Sequence, residues 1–226
     1  MEKDSLQLRQ EIIKACLHLS EIGQFIGTWG NISVRVEEGF VITPSAVDYT
    51  TMTPEDFVVV SMDGQKVSGQ AVPSSETELH RRLLAIRPDL GAFVHTHAPY
   101  ATCLACAHKS LPVIVEDMAQ IIGGEVRCTR YASGGRSKDL SEEACAVIGD
   151  DSSAVLLANH GAVIGGRTLG EAVTACRILE KAAFIYISAA AIGGAHPIPE
   201  ECIIEERNRL LYRYGIEDVT NLSPTE

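Results

Sequence analysis

The chain has 226 residues, of which 46% are hydrophobic and 22% are charged, a composition typical of a globular protein with its own core rather than of a disordered chain. This length suits one large domain, and we expect a single domain over residues 1–226. The 19 Lys and Arg residues against 30 Asp and Glu residues give a formal net charge of −11. Such an acidic surface repels phosphate backbones and anionic membranes, which argues against nucleic-acid binding as the main function.

Cysteine usage and hydropathy favour the reducing cytoplasm. The seven cysteines are an odd, scattered set, and the N-terminal sequence lacks the apolar segment of a signal peptide. Cys103 and Cys106 form a single CxxC pair in an apolar helical stretch, where we expect core packing. The longest apolar stretch, residues 182–192, is about half the roughly 20 residues that a membrane helix needs. We therefore expect a cytoplasmic protein that does not span a membrane.

Taken in chain order, the spacing of apolar residues predicts helices that alternate with strands along the whole chain. Periodicity and capping residues predict helices over residues 5–22, 75–86, 99–107, 137–148, 169–191 and 199–212. Alternation and short apolar runs predict strands over residues 32–36, 40–42, 56–62, 92–97, 113–115, 125–129, 154–158 and 162–164. We expect one mixed sheet with antiparallel hairpins, covered by helices on its faces.

The segment His95-Thr96-His97 is the strongest local signal for chemistry. Because strand side chains alternate, both histidines lie on one face and both imidazoles can reach one ion. His160 follows the apolar run 154–158, where a strand enters a turn, a common position for functional groups on a rigid scaffold. The alternative for the pair is two hydrogen-bonded histidines beside a core, and the alternative for His160 alone is a structural role.

Glu76, in the segment PSSE, is the candidate fourth ligand. Three neutral imidazoles and one carboxylate suit Zn²⁺ or a neighbouring divalent ion. A carboxylate is also favoured at a helix N-terminus for electrostatic reasons alone. Ser74 and Ser75 are equally suited to capping that helix.

The segment GTWGNIS, residues 27–33, combines glycines with a hydroxyl and an amide, which suit the binding of an anionic group. It is neither a Walker loop nor a dinucleotide-binding fingerprint. Glycine-rich turns commonly serve backbone geometry alone. This loop therefore supports a function only in combination with other segments.

In chain order, the segments GTWGNIS, ITPSAVDY, PSSE, HTH and ANHG resemble the class II aldolase/adducin-head family. The resemblance extends from about Leu6 to Tyr214 and is closest, in layout and length, to the fuculose-phosphate aldolase branch. It implies a three-layer α-β-α sandwich with a largely antiparallel sheet, and a homotetramer with active sites between neighbouring subunits. The metal histidines favour an enzyme, because the structural adducin-head proteins lack them.

The resemblance also implies a role for each segment. His95, His97 and His160 match the metal histidines, and Glu76 matches the carboxylate that binds the resting metal and later acts as a base. The family's phosphate-binding positions are matched by Thr28, Gly30, Asn31, Ser45, Ser74 and Ser75. One divalent ion per subunit is implied, with Zn²⁺ as the first choice and Mn²⁺ or Co²⁺ as alternatives.

Two positions depart from the family pattern. Ala46 stands where the aldolases tend to have glycine, and a positive φ there would be costly. Asp117, next to Glu116, stands where the fuculose enzyme has the tyrosine that donates a proton in the neighbouring subunit's site. An ordinary surface acid is the alternative for Asp117. Tyr212 and Tyr214 either close over the site or simply pack.

The resemblance implies an aldehyde-lyase that reversibly cleaves a ketose 1-phosphate, of the L-fuculose or deoxypentulose type, into dihydroxyacetone phosphate and a small aldehyde. In the condensation direction, Glu76 would take a proton from the hydroxymethyl carbon, and Asp117 or Glu116 would protonate the aldehyde oxygen. The alternatives within enzymes are a phosphosugar 4-epimerase, a methylthioribulose-1-phosphate dehydratase and a decarboxylase of a phosphorylated keto acid. A non-catalytic interaction module like the adducin head is the alternative outside enzymes.

Overall fold

The computed structural model describes residues 3–135 and 137–212 of the chain. Within these residues the strands are β1 (Asn31–Val36), β2 (Gly39–Ile42), β3 (Val58–Val60), β4 (Lys66–Ser68), β5 (Ala92–Thr96), β6 (Arg127–Cys128), β7 (Ala154–Leu157) and β8 (Gly161–Gly166). The α-helices are α1 (Leu6–Glu21), α2 (Thr77–Ile86), α3 (Pro99–Cys106), α4 (Glu116–Ile121), α5 (Ser137–Val147), α6 (Leu169–Ala189) and α7 (Glu200–Tyr212).

The strands form one sheet with the order β4-β3-β2-β1-β5-β8-β7-β6. The pairs from β4 to β7 are antiparallel, and β6 pairs with β7 in parallel. The prediction of a mixed, largely antiparallel sheet is confirmed. In this order β5, which carries the HTH segment, lies near the centre between β1 and β8.

Alternating strand residues pack against two separate layers of helices. On one face, Ile32, Val34 and Ile164 belong to a buried cluster with apolar residues of α1, α3 and α6. On the other face, Phe40 and Val163 belong to a second cluster with α2 and α5. Because successive strand residues point to opposite faces, helices cover both sides of the sheet. The predicted three-layer α-β-α sandwich is confirmed.

The first helix shows how the sequence specifies these layers. The Ser5 hydroxyl accepts a 3.1 Å hydrogen bond from the Leu8 N–H and caps α1. Leu8, Ile12 and Leu19 lie on the buried stripe of α1, four and then seven residues apart, as expected for one face of a helix. Each such side chain, when fully buried, stabilises the fold by about 1.5–3 kcal/mol.

The predicted strand at residues 113–115 is wrong. Leu111 forms an isolated bridge with Val126, and the Val113 carbonyl accepts a 2.8 Å hydrogen bond from the Ile198 N–H. The β-branched residues of this segment favour a strand. Its backbone partner, however, comes from the segment before α7 and not from the sheet.

Two elements had no clear signal in the sequence. All three residues of β4 are exposed, so no apolar alternation marks it, and α4 is too short for a helical period to be recognised. The predicted strand over 125–129 is shortened to β6.

The prediction that Cys103 and Cys106 pack in the core is also wrong: both are exposed, because α3 instead buries Leu104 and two alanines. Within the described residues, no helix is both long enough and apolar enough to cross a bilayer.

Candidate active site

The strand register brings the three predicted metal histidines together. His95 lies in β5, opposite Asn31 of β1 and Val163 of β8, and His97 follows β5 directly. His160 lies in the turn between β7 and β8. Because β8 runs antiparallel to β5, this turn reaches the end of β5 from which His97 extends.

The three imidazoles surround a common point. His95 Nε2 lies 2.9 Å from His97 Nε2, and the ring centroids of the three histidines lie 4.8 to 5.0 Å apart. One nitrogen from each ring can be chosen so that all three lie within 4.8 Å of one another. A single ion at this point can therefore contact all three side chains.

Close packing of these rings requires a glycine at position 161. A Cβ atom on Gly161 would overlap the Thr96 carbonyl oxygen and lie 3.0 Å from His97 Cδ2. The glycine that follows His160 therefore allows the turn to approach β5. This close contact explains why the ANHG segment ends in a glycine.

Glu76 adds a carboxylate to the histidine cluster. It is the N-cap residue of α2, but its side chain makes no capping hydrogen bond. Its Oε2 lies 3.3 Å from His95 Nε2, and its Oε1 lies 3.4 Å from His160 Nε2. Glu76 therefore does more than stabilise the N-terminus of α2, which was the alternative role for this carboxylate.

The protonation of the histidines suits metal binding. His95 Nδ1 donates a 2.9 Å hydrogen bond to the Ala162 carbonyl, which leaves the lone pair of Nε2 directed at the other ligands. Burial, His95 and His160 lower the pKa of His97 to about 4, and burial and His95 lower the pKa of His160. These two rings are therefore neutral at pH 7, as metal ligands must be.

The Glu76 carboxylate and one ring nitrogen of His160 also suit a metal site. Burial alone raises the pKa of the Glu76 carboxyl, but His95, His160 and a hydrogen bond from Asn31 outweigh it, so that the pKa lies below its usual value. His160 Nδ1 is buried and has no hydrogen-bond partner among the described residues. Neutral imidazoles grouped with an ionised carboxylate fit a divalent transition-metal ion.

The histidine cluster lines a cavity of about 270 Å³. The cavity is also lined by every predicted phosphate-binding residue: Thr28, Gly30, Asn31, Ser45, Ser74 and Ser75. The described residues that line it include no Lys or Arg. An anion in this cavity would therefore be bound by neutral hydroxyl, amide and backbone donors.

The glycine loop that precedes β1 is held in place by aromatic residues. Gly30 has a φ of +132°, and a Cβ atom there would collide with the Phe25 ring. The Tyr49 hydroxyl donates a 2.6 Å hydrogen bond to the Gly30 carbonyl. Thr28 and Trp29 therefore project from a fixed loop at the mouth of the cavity, and the Trp29 side chain is 63% exposed there.

Two serine segments meet on the same side of the cavity. The Ser45 N–H donates to the Val72 carbonyl at 2.9 Å, and the Ser74 N–H donates to the Thr43 carbonyl at 3.1 Å. These bonds bring Ser45 next to the PSSE segment. Ala46 has a φ of +58°, so the costly left-handed conformation considered for this position is present.

The Asn31 side chain is engaged at both ends. Its Nδ2 donates a 2.9 Å hydrogen bond to Glu76 Oε2, and its Oδ1 lies 2.5 Å from His80 Nε2. His80 Nδ1 lies 2.6 Å from Ser33 Oγ. Sequence reasoning missed His80 and Ser33, although the spacing of four residues between Glu76 and His80 is a signal that could have linked them.

The predicted proton donors lie away from this cavity. Glu116 and Asp117 occupy the first turn of α4 and line a separate concavity with Lys181, which forms an ion pair with Asp117. Among the residues that the structure describes, none lines both this concavity and the histidine cavity. Tyr212 is 70% exposed and does not line the histidine cavity, and Tyr214 lies outside the described residues.

Comparison with known proteins relates this fold and site to one family. Residues 10–187 match the family described as Class II Aldolase and Adducin N-terminal domain. The chain is 35% identical over 214 residues to a 5-methylthioribulose-1-phosphate/5-deoxyribulose-1-phosphate aldolase of Rhodospirillum rubrum, with coverage of 95% of this chain and 94% of the relative. It is 37% identical over 195 residues to a 5-deoxy-D-ribulose 1-phosphate aldolase of Bacillus thuringiensis, with coverage of 85% and 90%.

A solved structure gives the same result. An L-fuculose 1-phosphate aldolase matches with a TM-score of 0.87 and 33% identity, over 93% of this chain and 99% of that chain. The chain therefore belongs to the class II aldolase/adducin family, as its motifs predicted.

Proposed function

We propose that the chain is a metal-dependent aldolase that reversibly cleaves a ketose 1-phosphate into dihydroxyacetone phosphate and a small aldehyde. The observation that carries this proposal is one cavity that contains both a three-histidine, one-carboxylate cluster and a wall of neutral hydrogen-bond donors. The cluster suits carbonyl activation, and the donors suit a phosphate. Relatives named as aldolases of 5-deoxyribulose 1-phosphate and L-fuculose 1-phosphate support the same reaction.

His95, His97, His160 and Glu76 would hold one divalent ion, for which we propose Zn²⁺, with Mn²⁺ or Co²⁺ as alternatives. When bound, the ion supplies Lewis-acid polarisation of the substrate ketone and stabilises the negative charge that cleavage leaves behind. The site needs no Schiff-base lysine, and the described residues that line the cavity include none.

Glu76 transfers a proton to and from the hydroxymethyl carbon of the substrate. In the condensation direction its carboxylate takes a proton from the hydroxymethyl carbon of dihydroxyacetone phosphate, and in the cleavage direction it returns that proton to the same carbon. The Glu76 side chain is 8% exposed, which limits competition from bulk water. The hydrogen bond from Asn31 Nδ2 keeps one carboxylate oxygen oriented.

The phosphate of the substrate is bound in the same cavity, by Thr28, Gly30, Asn31, Ser45, Ser74 and Ser75. Several directed hydrogen bonds to a phosphate can replace a positive charge, because bonds to ionised groups are stronger than neutral ones. The Ser75 side chain is exposed to the cavity, whereas the Ser74 hydroxyl accepts a 3.3 Å hydrogen bond from the Glu76 N–H. We assign Ser75 the more direct phosphate contact.

The proton donor for the aldehyde oxygen is Asp117 or Glu116, acting in the site of a neighbouring subunit of a homotetramer. Both residues line a concavity separate from the histidine cavity of their own chain. This separation supports a role in the site of a neighbouring subunit.

We also propose one domain over residues 1–226 and a cytoplasmic location. A single sheet connects β1 to β8 across most of the chain, which supports one domain. All seven cysteines are free, which is common in reducing compartments.

The reaction is tested with metal-reconstituted protein and three substrates: L-fuculose 1-phosphate, 5-deoxyribulose 1-phosphate and 5-methylthioribulose 1-phosphate. Release of dihydroxyacetone phosphate, followed with a coupled reductase, should accompany the matching aldehyde for at least one of them. L-ribulose 5-phosphate is included for the epimerase alternative. Turnover of this compound alone, or loss of water without triose release, would replace the aldolase by an epimerase or a dehydratase.

The same samples test the non-catalytic alternative. A chain that binds no divalent ion and turns over no phosphosugar would be an interaction module. About one tightly bound ion per chain, measured by mass spectrometry, is expected for the enzyme.

A further inference from the structure

A row of buried hydrogen bonds leads from β1 through α2 to Glu76, and its first two members have no part in the reaction described above. Ser33 Oγ lies 2.6 Å from His80 Nδ1, and His80 Nε2 lies 2.5 Å from Asn31 Oδ1. Asn31 Nδ2 then donates to Glu76 Oε2 at 2.9 Å. The exposure of these four residues ranges from 0% to 7%.

Only one arrangement of protons satisfies every member of the row. An ionised Glu76 carboxylate can only accept, so the Asn31 NH₂ group faces it and the Asn31 Oδ1 faces His80. His80 Nε2 must then carry the ring proton and donate it to that oxygen. The lone pair of His80 Nδ1 is left to accept the proton of the Ser33 hydroxyl.

The reverse orientation of the Asn31 amide is unfavourable. It would direct Oδ1 at the Glu76 carboxylate, acceptor against acceptor. Burial lowers the pKa of His80 to about 3, so the ring is neutral and offers a single N–H. The ionised Glu76 carboxylate therefore sets the orientation of the Asn31 amide, and the Nε2–H of His80, with Nδ1 accepting from Ser33, holds it there.

We propose that His80, supported by Ser33, is a positioning residue that holds the Asn31 amide with its N–H toward Glu76 and so fixes Glu76 in the geometry that binds the divalent ion. The inference rests on the proposed role of Glu76 as a ligand, but it does not depend on which ketose phosphate is cleaved. Removal of such an outer hydrogen-bond partner typically weakens metal affinity by about 10- to 100-fold.

The test is a double-mutant cycle on metal affinity in the full chain without substrate. The variants are His80→Leu, His80→Gln, Asn31→Ala and the combination Asn31→Ala/His80→Leu, and the Zn²⁺ dissociation constant is measured by chelator competition. His80→Leu should weaken binding by about 10- to 100-fold. His80→Gln should retain most of the affinity, because its amide can donate to Asn31 and accept from Ser33.

The double variant Asn31→Ala/His80→Leu shows whether His80 acts through Asn31. If His80 acts through Asn31, the double variant binds Zn²⁺ no more weakly than Asn31→Ala alone. Losses that multiply in the double variant, or an equal loss in His80→Gln and His80→Leu, would overturn the proposal, since His80 would then act through the fold.

A second variant covers the case in which His80→Leu does not fold, which circular dichroism would reveal. Ser33→Ala should weaken Zn²⁺ binding in the wild-type background and leave it unchanged in the Asn31→Ala background. An equal loss in both backgrounds would overturn the proposal. Failure of the wild-type chain to bind any of Zn²⁺, Mn²⁺ and Co²⁺ would instead refute the proposed function, so the two failures are distinguishable.

Discussion

Asn31 and His95 face each other on neighbouring antiparallel strands, where the register pairs them directly. This pairing sets the glycine loop that precedes β1 beside the first histidine of the metal cluster. A shift of the register by one residue would turn each side chain to the opposite face of the sheet. The candidate phosphate and metal sites are therefore adjacent because of the sheet, and not because of a flexible loop.

We expect His97→Ala to abolish metal binding with little effect on folding, because His97 follows β5 and is only partly buried. The metal content after dialysis should fall from about one ion per chain to near zero, and aldolase activity should be lost with it. The matched control is His108→Asn, an exposed histidine with a φ of +51° that asparagine tolerates. Full metal content in His97→Ala would remove His97 from the ligand set.

Ser75→Ala should raise KM for a phosphorylated substrate by about tenfold or more, because a hydrogen bond to a charged group contributes about 1.5–3 kcal/mol. The metal content should not change. Ser68→Ala, on the exposed strand β4, is the control and should leave both quantities unaltered. If Ser75→Ala lowered the metal content instead, the phosphate side of the cavity would have been assigned to the wrong residues.

Mixed oligomers should test whether the sites lie between subunits. His97→Ala removes a ligand in one chain, and the double variant Glu116→Gln/Asp117→Asn removes both candidate proton donors that would act in the neighbour's site. Each variant alone should be nearly inactive, whereas subunits of the two variants, mixed and reassembled, should regain activity. A mixture that stays as inactive as its components would show that neither Glu116 nor Asp117 acts across an interface with His97.

The metal-free protein should lose stability as the pH falls from about 6.5 to 4. Burial lowers the pKa of His80 to about 3 and, with neighbouring histidines, that of His97 to about 4, below the value of about 6.5 in an unfolded chain. In this range the unfolded chain binds protons that the folded chain does not, so the free energy of unfolding decreases as the pH falls. Urea unfolding of chelator-treated protein at several pH values measures this slope.

A variant isolates the contribution of one histidine to that slope. Glutamine does not titrate, so His80→Gln should show a shallower pH dependence than the wild-type chain over the same range. Identical slopes would mean that the folded chain protonates His80 as readily as the unfolded chain does.

Ala46→Gly should leave stability unchanged or raise it. The left-handed conformation of Ala46 costs about 1–2 kcal/mol with a Cβ atom, and the greater chain entropy of glycine in the unfolded state offsets about 0.5–1 kcal/mol of the relief. The expected gain lies between about 0 and 1.5 kcal/mol in urea unfolding. The control Ala15→Gly, inside α1, should cost about 1 kcal/mol, and a similar cost at Ala46 would contradict this account.

Local patterns in the sequence identified most of the fold and the segments that line the cavity. The alternation around His95 and His97 predicted a strand that ends in two histidines on one face, and β5 agrees. The stripe of α1 and the strand beginning near Ile32 were likewise encoded within a few residues. Such features can be predicted from the sequence because strand and helix periods repeat within one short segment.

Only the tertiary structure decided which distant segments meet. Glu76 contacts His160, and Asn31 connects Glu76 to His80, through pairings between residues far apart in sequence. Residues 113–115 have strand-forming side chains, yet their partner lies outside the sheet. Hydrogen bonds and packing between distant residues depend on how complete layers come together, and no local period records that geometry.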